Sequence, residues 1–108
     1  MNKIELTPKA VEDLQEIKSY ITDTLQNPQA AVNTVQKIID CYEQLADQCK
    51  IGTPLETVIH LPNKYRFLVS GNYLIFYTID ASSVKIVRIL YGKRDYVKVL
   101  FSNTEGTV

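Results

Sequence analysis

Apolar residues recur at helical spacing through the first half of this chain and in short, nearly continuous runs through the second. Over residues 2–6, Ile4 and Leu6 alternate with charged neighbours, which predicts a first strand at a sheet edge or beside a central strand. Thr7-Pro8 has the residue types of an N-cap and first helical position. Ala10, Leu14, Ile17, Ile21 and Leu25 then form one helical stripe, which should stop near Asn27. Glu12, Asp13 and Glu16 fall in its early turns, where the helix dipole favours anions. Asn27-Pro28 repeats the cap chemistry. Val32, Val35, Ile38, Ile39, Tyr42, Leu45, Ala46 and Cys49 give the second helix a broad apolar face. A connection this short makes the two helices antiparallel neighbours, and their shared face needs a cover.

Gly52-Thr53-Pro54 ends the helical pattern, and 53–64 reads as a loop containing His60. Residues 66–69, 73–79 and 84–91 then read as strands, joined by Ser70-Gly71-Asn72 and by Asp80-Ala81-Ser82-Ser83. Consecutive short hairpins make these an antiparallel meander, and its apolar content implies cover on one side and partial shielding on the other. After Arg94, the residues Val97, Leu100 and Phe101 fit either a last helical turn or an extended edge. The predicted class is α+β: an N-terminal strand and an antiparallel helix pair packed on a curved, mostly antiparallel four-stranded sheet. One domain is expected over 1–101, with a flexible C-terminal tail at 102–108.

A chain of 108 residues with 45% hydrophobic and 22% charged residues suits one globular domain. No apolar run approaches the ~20 residues of a membrane span, and MNKIELTPKA lacks the apolar core of a secretory signal. A cytoplasmic protein is expected. Cys41 and Cys49, set in one predicted helix, would lie about 12 Å apart along its axis, beyond the about 7 Å that a disulfide spans. Buried reduced thiols are expected there, and with a single histidine no structural metal site is implied.

The zero net charge hides an asymmetry: residues 1–50 hold five Lys/Arg and eight Asp/Glu, residues 51–108 seven and four. The basic half suits an acidic partner segment or a nucleic-acid phosphate. No catalytic constellation centres on His60, which reads as an ordinary loop histidine, and Gly92-Lys93 lacks the spacing of a phosphate-binding loop. What remains is cationic and aromatic: Lys64, Tyr65, Arg66, Arg88, Tyr91, Lys93, Arg94 and Tyr96, with Tyr73 just past the first strand turn. Arginine and lysine can stabilise a phosphoryl transition state and tyrosine can stack bases. The same residues can anchor a protein interface, and the residues alone favour a binding surface over a catalytic site. Arg66 begins one strand and Arg94 follows another of the same direction, so the two need not meet.

The words LTPKAVEDLQEIKSYI, NPQAA, YRFLVSGNYLIFYTID and VKIVRILYGKRD, in that order, resemble the RelE/ParE superfamily of toxins of bacterial type II toxin–antitoxin pairs. The resemblance spans residue 3 to about 101. It implies a growth-inhibiting toxin neutralised by a cognate antitoxin, with no cofactor. RelE-like members cleave mRNA on the ribosome; ParE-like members poison DNA gyrase. Arg66 and Arg94 match cations of the RelE-like pattern, whereas Tyr73 and Leu68 stand at other cationic positions. Leu100 stands where the C-terminal tyrosine would align, with Tyr96 as a nearby substitute. A sequence pI near 6.6 is low for a binder of ribosomal RNA, and the helical words look ParE-like. The expected partners are therefore an antitoxin and gyrase, with Arg66, Tyr73, Arg88, Tyr91, Lys93, Arg94 and Tyr96 as the binding set. The alternatives are a metal-independent, ribosome-dependent endoribonuclease using Arg66, Arg94 and Tyr96, with the ribosome and mRNA as partners, and a non-toxic interaction module.

Overall fold

Two side-chain caps start the long helices. Thr7 Oγ1 accepts from the Ala10 N–H at 3.1 Å and Asn27 Oδ1 from the Ala30 N–H at 3.1 Å, each satisfying a first-turn donor that the helix itself leaves free. The computed structural model describes residues 1–101; the expected tail at 102–108 lies outside the described residues. In chain order the elements are β1 (Lys3–Leu6), α1 (Pro8–Ser19), a π-helical turn (Tyr20–Thr24), α2 (Pro28–Glu43), a 3₁₀ turn (Gln44–Ala46), β2 (Thr53–Pro54), α3 (Glu56–Ile59), β3 (Arg66–Ser70), β4 (Tyr73–Asp80), β5 (Ser83–Tyr91) and α4 (Tyr96–Phe101). The segment after Arg94 is thus helical.

The strands form one sheet in the order β1-β5-β4-β3-β2. The predicted meander is its centre, and β1 lies at the edge, parallel to β5. Five strands replace the expected four. Residues 53–64 are not all loop: Thr53 and Pro54 pair with Phe67 and Arg66, and α3 follows. Proline is tolerated on an edge strand because no ladder donor is needed there.

Ala10, Ile17, Ile21, Ala31, Ile38 and Leu45 of the helical layer bury against Ile75, Tyr77, Val84, Ile86 and Ile89 of the sheet. The opposite face carries a second, smaller core, in which Leu55, Phe76, Leu90 and Leu100 are brought together beneath α3 and α4. The double cover accounts for the nearly continuous apolar strands.

Two predicted stripe residues leave the core. Leu25 is 56% exposed and Val32 52% exposed. The Leu25 N–H bonds the Tyr20 carbonyl five residues back, so the π turn holds more residues than an α turn and carries Leu25 off the stripe. Gln26 follows at φ 52°, in the left-handed region. The second helix also ends earlier than its apolar pattern, and Cys49 lies beyond it. Both cysteines are free and half-buried rather than buried; desolvation pushes the Cys41 thiol up.

Candidate functional site

The cations and tyrosines of the second half are divided among four places. Arg66, at the start of β3, donates from Nη1 to the Gly52 carbonyl at 2.8 Å and the Lys50 carbonyl at 3.2 Å. Beside it the Tyr77 hydroxyl donates to the Cys49 carbonyl at 2.8 Å and accepts the Gly52 N–H at 3.0 Å. Burial pushes the Tyr77 phenol up, and the hydrogen bond from Gly52 and the Arg66 charge oppose it. Arg66 therefore fastens the 49–52 connection to the sheet.

Arg88 is drawn into the molecule. Its Nε and Nη2 grip Asp13 Oδ2 and Oδ1 at 2.8 and 2.9 Å, and the Ile89 N–H donates to Oδ2 at 2.9 Å. Asp13 is 4% exposed. The two-pronged hydrogen bond to Asp13 raises the Arg88 pKa, against the smaller effect of desolvation. Helix-dipole chemistry is not what places Asp13 in the chain. It lies past the first turn of α1, and its carboxylate is spent on β5.

Tyr96 lies across the sheet from both. Its ring packs on Phe76 at a centroid separation of 5.2 Å and belongs to the smaller core. Leu100 is buried there, and Tyr65 meets Phe101 edge-on at 5.5 Å. His60 caps α3 in the left-handed conformation.

Tyr73, Tyr91 and Arg94 do come together. Tyr73 and Tyr91 are opposite partners on β4 and β5, with rings edge-on at 6.0 Å. They form one wall of an open groove of about 670 Å³; Glu16, Tyr20 and Leu25 form the other, with Ile17 and Ile21 at its base. Gly71, at φ 59°, makes the turn that brings Tyr73 to this end of the sheet. Desolvation, then the neighbouring phenols of Tyr91 and Tyr20, raise the Tyr73 pKa. Among the described residues the Arg94 guanidinium and the three phenol hydroxyls have no hydrogen-bond partner, and Lys93 beside them is exposed without an ion pair. An apolar base under a rim rich in free donors suits a ligand that brings apolar side chains together with carboxylates or carbonyls.

Sequence reasoning missed Tyr20 and Leu25 as site residues. Leu25 fits the predicted core stripe and the π turn turns it outward, whereas Tyr20 stands off that stripe, beside Ile21, and is half-exposed. No group of His, Cys, Asp and Glu side chains among the described residues is placed to hold a metal ion, and no described helix is long and apolar enough to cross a membrane.

The architecture has a counterpart among solved structures. A chain from the chromosomal ParDE TA system of P. aeruginosa superposes with a TM-score of 0.71 at 22% identity, covering 84% of this chain and 96% of that one. YafQ from E. coli gives a TM-score of 0.49 at 16% identity over 94% of this chain and 99% of its own. No curated protein sequence matches significantly. The family described as the ParE toxin of the type II toxin–antitoxin system parDE matches residues 4–96. With its sheet, helix pair and most of its length accounted for by that match, this chain belongs to the ParE toxin family.

Proposed function

We propose that this ParE-type toxin acts by gripping a macromolecule rather than by cutting one, that its target is DNA gyrase in the cytoplasm, and that a cognate antitoxin neutralises it. The observation that carries the reading is the separation of the residues a metal-independent ribonuclease would need. Arg66 is bound to two carbonyls at one end of β3, and Tyr96 packs on Phe76 across the sheet. Arg94 stands in the groove at the other end. A phosphoryl-transfer site requires its cation and its proton-transferring group within hydrogen-bond reach of one reacting phosphate, and these three do not converge. The Tyr73–Tyr91–Arg94 wall instead has the aromatic and arginine content of an interface hot spot.

Of the seven residues expected at the interface, Tyr73, Tyr91, Lys93 and Arg94 are the ones this reading keeps. Arg66, Arg88 and Tyr96 are assigned to holding the fold. The antitoxin segment best suited to the groove is amphipathic, with large apolar side chains for Ile17 and Ile21 and a carboxylate for Arg94.

The test pairs two assays on purified toxin. Incubation with gyrase, ATP and supercoiled plasmid should accumulate gyrase-linked DNA breaks, and the co-purified antitoxin should suppress them. Codon-phased cleavage of mRNA on translating ribosomes, with gyrase unaffected, would overturn the gyrase reading in favour of the ribonuclease.

A further inference from the structure

Asp13 is the most buried charged side chain of the described residues, and the binding reading leaves it without a function. Its surroundings supply one. β5 carries a bulge: Phe76 is opposite Arg88 but Tyr77 is opposite Ile86, so Val87 is the extra residue. A bulge interrupts the ladder and bends its strand, and the three residues 87–89 are all fastened to α1 and its cap. Thr7 Oγ1 donates to the Val87 carbonyl at 2.9 Å. Asp13 takes both prongs of Arg88 and the Ile89 N–H. Immediately beyond this fastening the two elements become the two walls of the groove: Glu16 and Tyr20 on the helical side, Leu90, Tyr91 and then Arg94 on the other.

We infer that Asp13 is the positioning residue of the groove: through Arg88 and the Ile89 amide it fixes how far the Tyr91–Arg94 wall stands from α1, and so whether a partner segment fits. This rests on the proposed antitoxin interface and names the residue that governs it. A carboxylate suits the task because it accepts three donors from two directions at once, which neither a hydroxyl nor a purely apolar contact can do. The bent strand then has one position relative to α1.

The single variant Asp13→Ala leaves Arg88 half-buried without its partner and is expected to lose stability for that reason alone. The deciding variant is therefore Asp13→Leu/Arg88→Met. Replacing a buried ion pair by packed apolar side chains is commonly neutral or stabilising, so this protein should melt well above Asp13→Ala, short of wild type only by the cost of the Ile89 N–H, which loses its acceptor. Its affinity for the antitoxin, measured by calorimetry, should nevertheless fall by about tenfold, the scale of remote mutations that alter a site's geometry. In the toxin alone, amide exchange at Leu90 and Tyr91 should quicken while the rest of the sheet stays protected. A merely structural pair predicts the opposite: affinity and exchange recover together with the melting temperature. That result would overturn the assignment. Failure of wild-type toxin to bind the antitoxin would instead sink the neutralisation reading. The exchange measurement needs no partner and would still decide the role of Asp13.

Discussion

The two ends of this sheet carry the same kinds of side chain and use them in opposite ways. At one end, Arg66 and Tyr77 turn their polar atoms inward and satisfy the carbonyls of Cys49, Lys50 and Gly52 and the Gly52 amide. At the other, Tyr73, Tyr91 and Arg94 leave theirs facing an open groove. Buried backbone groups are costly to leave unpaired, so a chain that passes under the sheet must be given donors and acceptors there. Where no backbone passes beneath, identical residues remain free to engage something else. Charge and residue type alone therefore do not mark an interface; what the neighbouring backbone needs decides it.

Substitutions at the closed end should sharpen this contrast. Gly52→Ala should cost the most. An added Cβ would stand 2.5 Å from Tyr77 Oη and 2.8 Å from the Phe67 carbonyl oxygen, and overpacking of this kind typically costs about 1–3 kcal/mol or more. Urea titration would read it. Tyr77→Phe should follow, at about 1–3 kcal/mol, because the Gly52 N–H and the Cys49 carbonyl lose their shared partner inside the protein. Thr7→Ala removes the cap of α1 and the bond to Val87, an effect of about 1–2 kcal/mol read from the melting temperature.

Arg94→Ala lies at the other extreme. Its stability change should stay within about 0.5 kcal/mol, while growth arrest and antitoxin affinity both fall. A destabilisation of Arg94→Ala as large as that of Tyr77→Phe would break the contrast, since it would place Arg94 among the fold-holding residues. Growth arrest at the wild-type level would remove it from the site.

Most of the fold was legible in the sequence because it rests on local signals. The Thr-Pro and Asn-Pro caps, the three- and four-residue apolar spacing and the Gly71 and Ala81-Ser82 turns each act within a few residues. The resemblance carried by the helical and strand words agrees with the family match. The misses are of another kind. β2 has two residues, too short for periodicity to register, and its proline argues against a strand until a neighbouring edge is supplied. Leu25 and Val32 fit the stripe and yet face solvent, Leu25 because hydrogen bonding changed its phase. The site was half legible. Tyr73, Tyr91 and Arg94 converge as the meander requires, because Gly71 and the end of β5 meet at one edge. Arg66 and Arg88 could not be told apart from them, since their partners are two carbonyls and a carboxylate remote in sequence. Asp13 and Arg88 are 75 positions apart, a distance no pattern search spans.

Pairing of the first strand with the last has a bearing on when this toxin exists at all. Lys3–Leu6 completes the sheet only against residues 83–86, so during synthesis the N-terminal strand has no mate until most of the polypeptide has been made. Such long-range closure is slow compared with helix formation, and a product that stops before β5 leaves a bare strand edge open to aggregation. The order of the strands thus ties completion of the sheet to the arrival of β5.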